Sequence, residues 1–353
     1  MILRCFPEEI FDLNLKMSDC FGLDIGSNTI KIVQLAKEKN FFRLVAAGMA
    51  KTPPVDLSFV VEKDLLTMAE AIKKLKDEAA VTVNRVAMAL PESKVFTQVV
   101  EFPRMREEEL KQAIPWEAED LVPQPLAEVN LDWEIIDDEE SVKDNKTKIV
   151  LVAAPKILVA KYLQLCKMAG LELAFLETET LALVRALRPI FNQNDIILTN
   201  LGAKSLDIIL IHKGNLFLTR QLPTSGEAIN RALANSLGLD LPAAEEYKKT
   251  YGLSEQLEGK VAGAIQPIVM MIADELKKST AFFKEKSGSS SKLLLISGGT
   301  SLLPGIAEFL AQSLGLEVQV ADPLSMLNLN QQGQPWLKKN SPLFAVACGL
   351  AMR

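Results

Sequence analysis

Histidine is almost absent from this chain. Its 353 residues include one, His212, so no site built on several imidazoles can form. The four cysteines, Cys5, Cys20, Cys166 and Cys348, show no CxxC or other metal-ligand spacing. Together these shortages argue against a zinc centre and a disulfide framework, and they fit a reducing cytosol. A run of about 20 apolar residues, the length that crosses a bilayer, is also missing. The longest candidate, residues 261–272, is too short and carries Gln266 and Pro267. There is no long basic run, and the net charge is −6, which argues against a nucleic-acid partner. Residues 1–18 lack the features of a signal peptide, because Glu8, Glu9 and Asp12 interrupt the apolar stretch and no small-residue cleavage site follows. Ile2, Leu3, Phe6, Ile10, Phe11 and Leu13 are spaced for a short apolar-faced helix, read as a frayed leader, with a membrane or partner anchor as the alternative.

What remains is the composition of a folded globular chain, 48% apolar and 24% charged, long enough for two or more domains. One pattern occurs twice in it. FGLDIGSNTIKIVQL at 21–35 and IILTNLGAKSLDIILI at 196–211 each read as strand, glycine turn, strand. Gly26 aligns with Gly202, Ser27 with Ala203 and Thr29 with Ser205. Small residues leave the turn amides open, and open amides with nearby hydroxyls are donors for a phosphate. A third glycine turn, Ser297-Gly298-Gly299-Thr300, follows the apolar run 293–296.

Between these turns the periodicity alternates. Residues 21–50 read as three antiparallel strands, and 65–80 as an amphipathic helix with Leu65, Met68, Ala69, Ile72 and Leu75 on one face. The stretch 94–176 then reads β-α-β-β-α-β, an inserted two-layer α+β unit of about 80 residues. Pro155 opens its second helix and Gly170 closes it. Asp137, Asp138, Glu139 and Glu140 read as a solvated loop. Trp116, Pro123 and Pro125 read as packing and turn residues, and His212 as a structural histidine within a strand. Helices are expected over 177–190, 226–237, 243–250, 260–286, 305–314 and 345–352, with a flexible serine-rich loop at 287–291.

Three glycine turns in this order, each after a strand, resemble the actin-like nucleotide-binding fold of actins, sugar kinases and heat-shock chaperones. The resemblance narrows within the inserted unit. Its FPRMREEELKQAIPWEAEDLVPQPLAEVNLDWEII is similar to the corresponding segment of the PilM family, cytoplasmic actin-like proteins of type IV pilus assembly related to FtsA. PTSGE at 223–227 matches the family's PxGGE, and AEEYKKTYGL at 244–253 its EAExxKxxYGL. Coverage extends from Phe21 to Met352. The resemblance implies an α/β, actin-like (ribonuclease-H-like, duplicated) ATP-binding fold with an inserted small α+β subdomain. The implied segments are a leader (1–20), a first lobe (21–93), the insertion (94–176), a connecting helix (177–194), a second-lobe phosphate hairpin (195–225), a helical subdomain (226–291), the second lobe with its adenosine motif (292–340) and a closing helix (341–353).

The resemblance also implies ATP and Mg²⁺ between the lobes. Asp24 would orient a hydrated Mg²⁺, which needs few protein ligands. Gly26, Ser27, Asn28 and Thr29 would hold the β- and γ-phosphates, with Lys31 reaching toward them. Gly202, Ala203 and Lys204 would serve the second phosphate turn. There the chain departs from its relatives, which usually carry Asp where this chain has Asn200; the amide keeps hydrogen bonding but lacks the charge that helps hold Mg²⁺ or polarise water. Gly298, Gly299 and Thr300 would pass the adenosine. Glu245 and Lys248, three apart on one helix face, would lie beside ribose and adenine, with Gly226 and Glu227 joining that pocket. Glu179 is the candidate catalytic carboxylate, positioning water. The implied partner is the N-terminal cytoplasmic peptide of PilN, in a groove between the first lobe and the insertion, with other pilus-platform proteins nearby. That would place the protein in the cytoplasm, peripheral to the inner membrane through its partner. The chain shows no C-terminal amphipathic membrane helix of the FtsA kind, which favours the pilus reading over the division reading. A secretion-system relative and an active ATPase or sugar-kinase-like phosphotransferase are the alternatives.

Overall fold

The computed structural model describes residues 20–39, 41–55, 61–136, 139–329 and 335–353. The leader helix expected over 1–18 and the loop residues Asp137 and Asp138 lie outside them. Two compact units divide the chain. One is Met1–Ala186 with Leu324–Leu337 and Val346–Arg353, and the other is Leu187–Pro323 with Lys338–Ala345.

The first unit opens with the expected antiparallel strands β1 (Phe21–Ile25), β2 (Thr29–Lys37) and β3 (Phe42–Lys51). Every residue of β1 is buried, as suits a central strand covered on both faces. Helix α1 (Glu62–Glu78) buries Leu65, Met68, Ala69, Ile72 and Leu75, the stripe read from the sequence, and leads to β4 (Arg85–Leu90), which pairs parallel with β1. The insertion follows with β5 (Phe96–Pro103), α2 (Glu107–Leu121), β6 (Val129–Ile135), α3 (Glu139–Lys143) and β7 (Lys146–Pro155). Its antiparallel sheet has the order β5-β7-β6, and α2 lays Leu110, Ile114 and Ala118 on Val100, Phe102, Ile149 and Leu151. Trp116, read as a packing residue, points out of this core and is 76% exposed.

One boundary differs from the sequence pattern. Helix α4 (Lys156–Ala169) and β8 (Glu172–Thr178) continue the β-α rhythm of the insertion, yet β8 pairs parallel with β4 in the main sheet and α4 packs beside α1. The reason is the buried face of α4. Tyr162, Leu165 and Cys166 are apolar partners for the main sheet, and Cys166 Sγ lies 3.3 Å from Met88 Sδ on β4. The main sheet thus runs β3-β2-β1-β4-β8, with the short strand Leu327–Asn328 on the free edge of β3.

Helix α5 (Glu179–Phe191) begins in the first unit. The closing helix Ala345–Ala351 packs on it through small residues. A Cβ on Gly349 would stand 1.8 Å from the Ala182 carbonyl oxygen, and one on Gly22 would stand 2.1 Å from that of Ala347. Buried Glu177 sits at the same junction. Arg185 donates to both its carboxylate oxygens at 2.6 Å and to the Gly349 carbonyl at 2.8 Å.

The second unit repeats the hairpin theme with β9 (Ile196–Leu201), β10 (Leu206–His212) and β11 (Asn215–Leu222). Helices α6 (Gly226–Leu237), α7 (Leu241–Tyr251) and α8 (Lys260–Ser287) precede β12 (Leu293–Ser297), α9 (Ile306–Leu314) and β13 (Glu317–Val320). The sheet order is β11-β10-β9-β12-β13, and its core joins Ile208 and Leu210 to Ile229, Leu233, Ile265, Ile272 and Leu276 of the helices. The serine loop after α8, expected to be flexible, is tied down. Ser287 Oγ donates to the Phe283 carbonyl, Ser289 Oγ to Asp195, and Ser291 Oγ to the Leu293 carbonyl. His212 is structural, as expected, with its ring edge-on to Phe217 and Phe283 and Nδ1 3.0 Å from Asp195 Oδ1. Among the described residues no helix is long and apolar enough to cross a membrane.

Candidate functional site

The candidate residues gather in two sets, one in each unit. In the first unit β1 and β2 place Asp24 directly across from Lys31, and their turn is closed by the Gly26 amide donating to the Thr29 carbonyl at 3.1 Å. Thr52, just past β3, braces the turn from outside. Its hydroxyl donates to the Gly26 carbonyl at 2.7 Å and its amide to that of Asn28 at 3.0 Å. No hydrogen bond among the described residues takes the amides of Ser27 or Asn28, so both remain donors for an anion. Lys31 Nζ is 2.9 Å from Asp24 Oδ2, and both side chains are nearly buried. The lysine is therefore held beside the turn by the carboxylate, and Gly26 leaves it room, since a Cβ there would lie 2.9 Å from Nζ.

Glu179, at the start of α5, faces a second carboxylate that the sequence did not single out. The Glu92 amide donates to Glu179 Oε2 at 3.5 Å, and the Thr180 amide donates to Glu92 Oε2 at 3.4 Å. The two acids thus cap each other's first turn. Tyr162 on α4 was missed as well. Burial first, and then the charges of Glu179 and Asp24, push its hydroxyl well above the usual tyrosine range. A tyrosine on an apolar helix face reads as core, and no local pattern marks it as a neighbour of two site carboxylates.

In the second unit four strands align one row of polar side chains. Asn200 on β9 pairs with Asp207 on β10 and with Ser297 on β12, and Asp207 pairs with Gln221 on β11. Asn200 Nδ2 donates to Asp207 Oδ2 at 3.2 Å, and Gln221 Nε2 to Oδ1 at 2.7 Å. The second hairpin therefore does carry a carboxylate at this rung, on β10 opposite Asn200 of β9. Asp24 and Lys31 bridge the first hairpin where Asn200 and Asp207 bridge the second. The signal was present as the Asp seven residues after Asn200, the same interval as from Asp24 to Lys31.

Burial pushes the Asp207 carboxyl up to about 6, against the amide donors of Gln221 and Asn200, which favour its charged form. A raised carboxyl pKa means that the folded protein holds this proton where the unfolded chain has lost it. Its contribution is complete below the unfolded value of 3.8 and is lost as pH rises through about 6. Asp207→Asn does not ionise. Relative to wild type it should gain on the order of 2 kcal/mol between about pH 4 and pH 7, read from urea midpoints across that window.

The other second-unit candidates converge on this row. The Gly202 carbonyl accepts from the Gly226 amide at 3.2 Å and from Thr300 Oγ1 at 3.1 Å, and the Ala203 carbonyl accepts from the Glu227 amide at 2.8 Å. Among the described residues no hydrogen bond takes the amides of Ala203 or exposed Lys204. Gly298 has φ +83°, and a Cβ on it would stand 2.5 Å from Asn200 Oδ1. Gly299 is exposed and faces open space. Buried Lys248 donates to Glu245 Oε2 at 2.6 Å and to the Gly226 carbonyl at 3.4 Å. Burial pulls the Lys248 ammonium down while Glu245 opposes it. Burial also resists charge on Glu245, but Lys248 and Asn230 hold its carboxyl below the usual range.

Two buried polar atoms in this set, Ser225 Oγ and Asn230 Oδ1, have no hydrogen-bond partner among the described residues. Both flank Gly226 at the start of α6. Buried polar atoms are rarely left unpaired, so a ligand that supplies a donor fits here. Neither residue was picked from the sequence. No group of three or more His, Cys, Asp or Glu among the described residues is placed to hold a metal ion, whereas Mg²⁺ beside phosphates takes only one or two carboxylates.

The geometry has counterparts among known proteins. The chain matches the family described as Type IV pilus assembly protein PilM over residues 22–353. Among solved structures, one described as the PilM-PilN type IV pilus biogenesis complex superposes with a TM-score of 0.85 at 29% identity, covering 96% of this chain and 99% of that one. MreB5 of Spiroplasma citri bound to AMPPNP superposes with a TM-score of 0.50 at 12% identity, covering 93% of each chain, which speaks to the fold alone. Cell division protein FtsA of Neisseria meningitidis serogroup B (strain ATCC BAA-335 / MC58) is 28% identical over 177 residues, 43% of this chain. That match spans only 40% of the FtsA protein. With its duplicated hairpins and several sheets, the chain has the actin-like ATPase fold and belongs to the PilM family of type IV pilus assembly proteins, relatives of FtsA.

Proposed function

We propose that this protein is an ATP-holding adaptor of the type IV pilus assembly platform, and that it carries the N-terminal cytoplasmic peptide of PilN. The observation behind the nucleotide is the second-unit set, where Ser225 Oγ and Asn230 Oδ1, without a partner among the described residues, lie beside Gly226 at the start of α6. Ser225, Gly226, Glu227, Asn230, Glu245 and Lys248 would hold ribose and adenine, and Gly298, Gly299 and Thr300 the adenosine side of the phosphates. Gly202, Ala203 and Lys204 would donate to phosphate in the second unit, and Gly26, Ser27, Asn28 and Thr29 would donate to phosphate in the first. Asp24 would orient the waters of Mg²⁺, with Lys31 beside it and Glu179 as the water-positioning carboxylate, and Asn200 would back the second-unit turn. Bound Mg²⁺ would supply neutralisation of phosphate charge.

The observation behind the partner is the 0.85 superposition on a complex that contains PilN. The groove for its peptide would lie between the main sheet and the inserted sheet, both parts of the first unit. Through PilN the protein would sit at the cytoplasmic face of the inner membrane. Titration with that peptide in the presence of ATP is the test.

One observation favours a second reading, an active ATPase. Asp207 returns a carboxylate to the second phosphate hairpin. Turnover above about 1 s⁻¹, in the usual enzyme range, would select it; slower turnover keeps the adaptor.

A further inference from the structure

The inserted unit presents an indole to solvent on an acidic helix packed against its own sheet. Trp116 is 76% exposed, while the opposite side of α2 is fixed to its sheet by Leu110, Ile114 and Ala118. An exposed tryptophan on an ordered helix is the residue type most enriched at binding hot spots. Its surroundings define what it fits. Glu119 and Asp120 lie three and four residues on, one turn away on the same face, and Glu117 is adjacent. All three are exposed, and none makes an ion pair among the described residues. The basic residues here are already engaged, Lys111 with Glu107 at 2.8 Å and Arg106 with Glu109 at 2.8 Å.

We propose that this face of α2 docks a basic segment of a protein partner, with an arginine stacked on Trp116 and its guanidinium facing Glu119 and Asp120. The inference stands apart from the PilN reading and needs no nucleotide. A guanidinium is attracted to an indole face, is weakly hydrated, and pairs with carboxylates in a planar fork. A wholly apolar partner would gain from the indole alone and would leave the carboxylates facing a dry surface. An anionic membrane would be repelled by the same charges.

The test uses the full chain and a fluorescent oligo-arginine peptide, followed by anisotropy at low and high salt. Oligo-lysine of equal charge and anionic vesicles are run in parallel. Binding of oligo-arginine should weaken about tenfold in Trp116→Ala and again in the Glu119→Gln, Asp120→Asn double variant. Oligo-arginine should also bind more tightly than oligo-lysine. These side chains are exposed, so the variants should melt with wild type. Equal affinity of Trp116→Ala and wild type overturns the proposal, as does Trp116-dependent sedimentation with anionic vesicles.

Discussion

Gly298→Ala is expected to cost about 3 kcal/mol of stability and to weaken ATP binding by at least about tenfold. The residue has φ +83° and ψ 174°, a backbone region essentially reserved for glycine. A methyl group there meets the Asn200 side chain at 2.5 Å and the Leu201 carbonyl oxygen at 2.7 Å. The Leu201 contact is backbone in a central strand and cannot yield without bending β9. Relief would therefore push the Ser297 to Thr300 turn away from Asn200, and with it Thr300, which donates to the Gly202 carbonyl. Two readouts separate the effects, urea midpoints for stability and titration with a fluorescent ATP analogue for the site. Gly299→Ala is the control. A Cβ there meets no protein atom within 4 Å, so its urea midpoint should stay near wild type, which isolates the stability loss to Gly298.

Gly349→Ala should be as severe, with loss of about 3 kcal/mol or more against a total of roughly 5–15 kcal/mol for a typical domain. The added carbon would lie 1.8 Å from the Ala182 carbonyl oxygen and 2.5 Å from its carbon. Both atoms are backbone of α5, so the closing helix must move outward as a body. That movement would strip the Arg185 bond to the Gly349 carbonyl and loosen the partner of buried Glu177. Chemical denaturation measures the loss. Gly263→Ala calibrates it, because this glycine lies inside α8 with nothing within 4 Å of its Cβ. That substitution should stabilise by up to about 1 kcal/mol, the helix-propensity difference.

These two glycines also mark what was legible in the sequence. Gly298 could be read because a local motif, strand then double glycine, carries its own conformational demand. The hairpins, the α1 stripe and the long α8 were legible for the same reason, since each is a period-2 or period-3.6 pattern within one segment. Gly349 was not, because its constraint comes from Ala182, distant in sequence, and nothing in AVACGLA names its partner. The assignment of α4 and β8 to the insertion failed similarly. Local rhythm gives the order of elements, whereas the choice of sheet depends on which apolar faces meet, here Cys166 with Met88.

Within the site the division is chemical. The glycine turns announced themselves, but Asn200 drew attention to a missing charge that Asp207 supplies from across the ladder. Ser225, Asn230, Glu92 and Tyr162 carry no motif signal, because a buried hydroxyl or amide is informative only once its lack of a partner, or its neighbours, can be seen.

The most direct measurement of the central claim is a calorimetric titration of the full chain with the N-terminal cytoplasmic peptide of PilN, with ATP and Mg²⁺ present. An ATP-holding adaptor predicts saturable binding of one peptide per chain. A titration that gives no binding, from protein shown in the same buffer to have bound ATP, would contradict it.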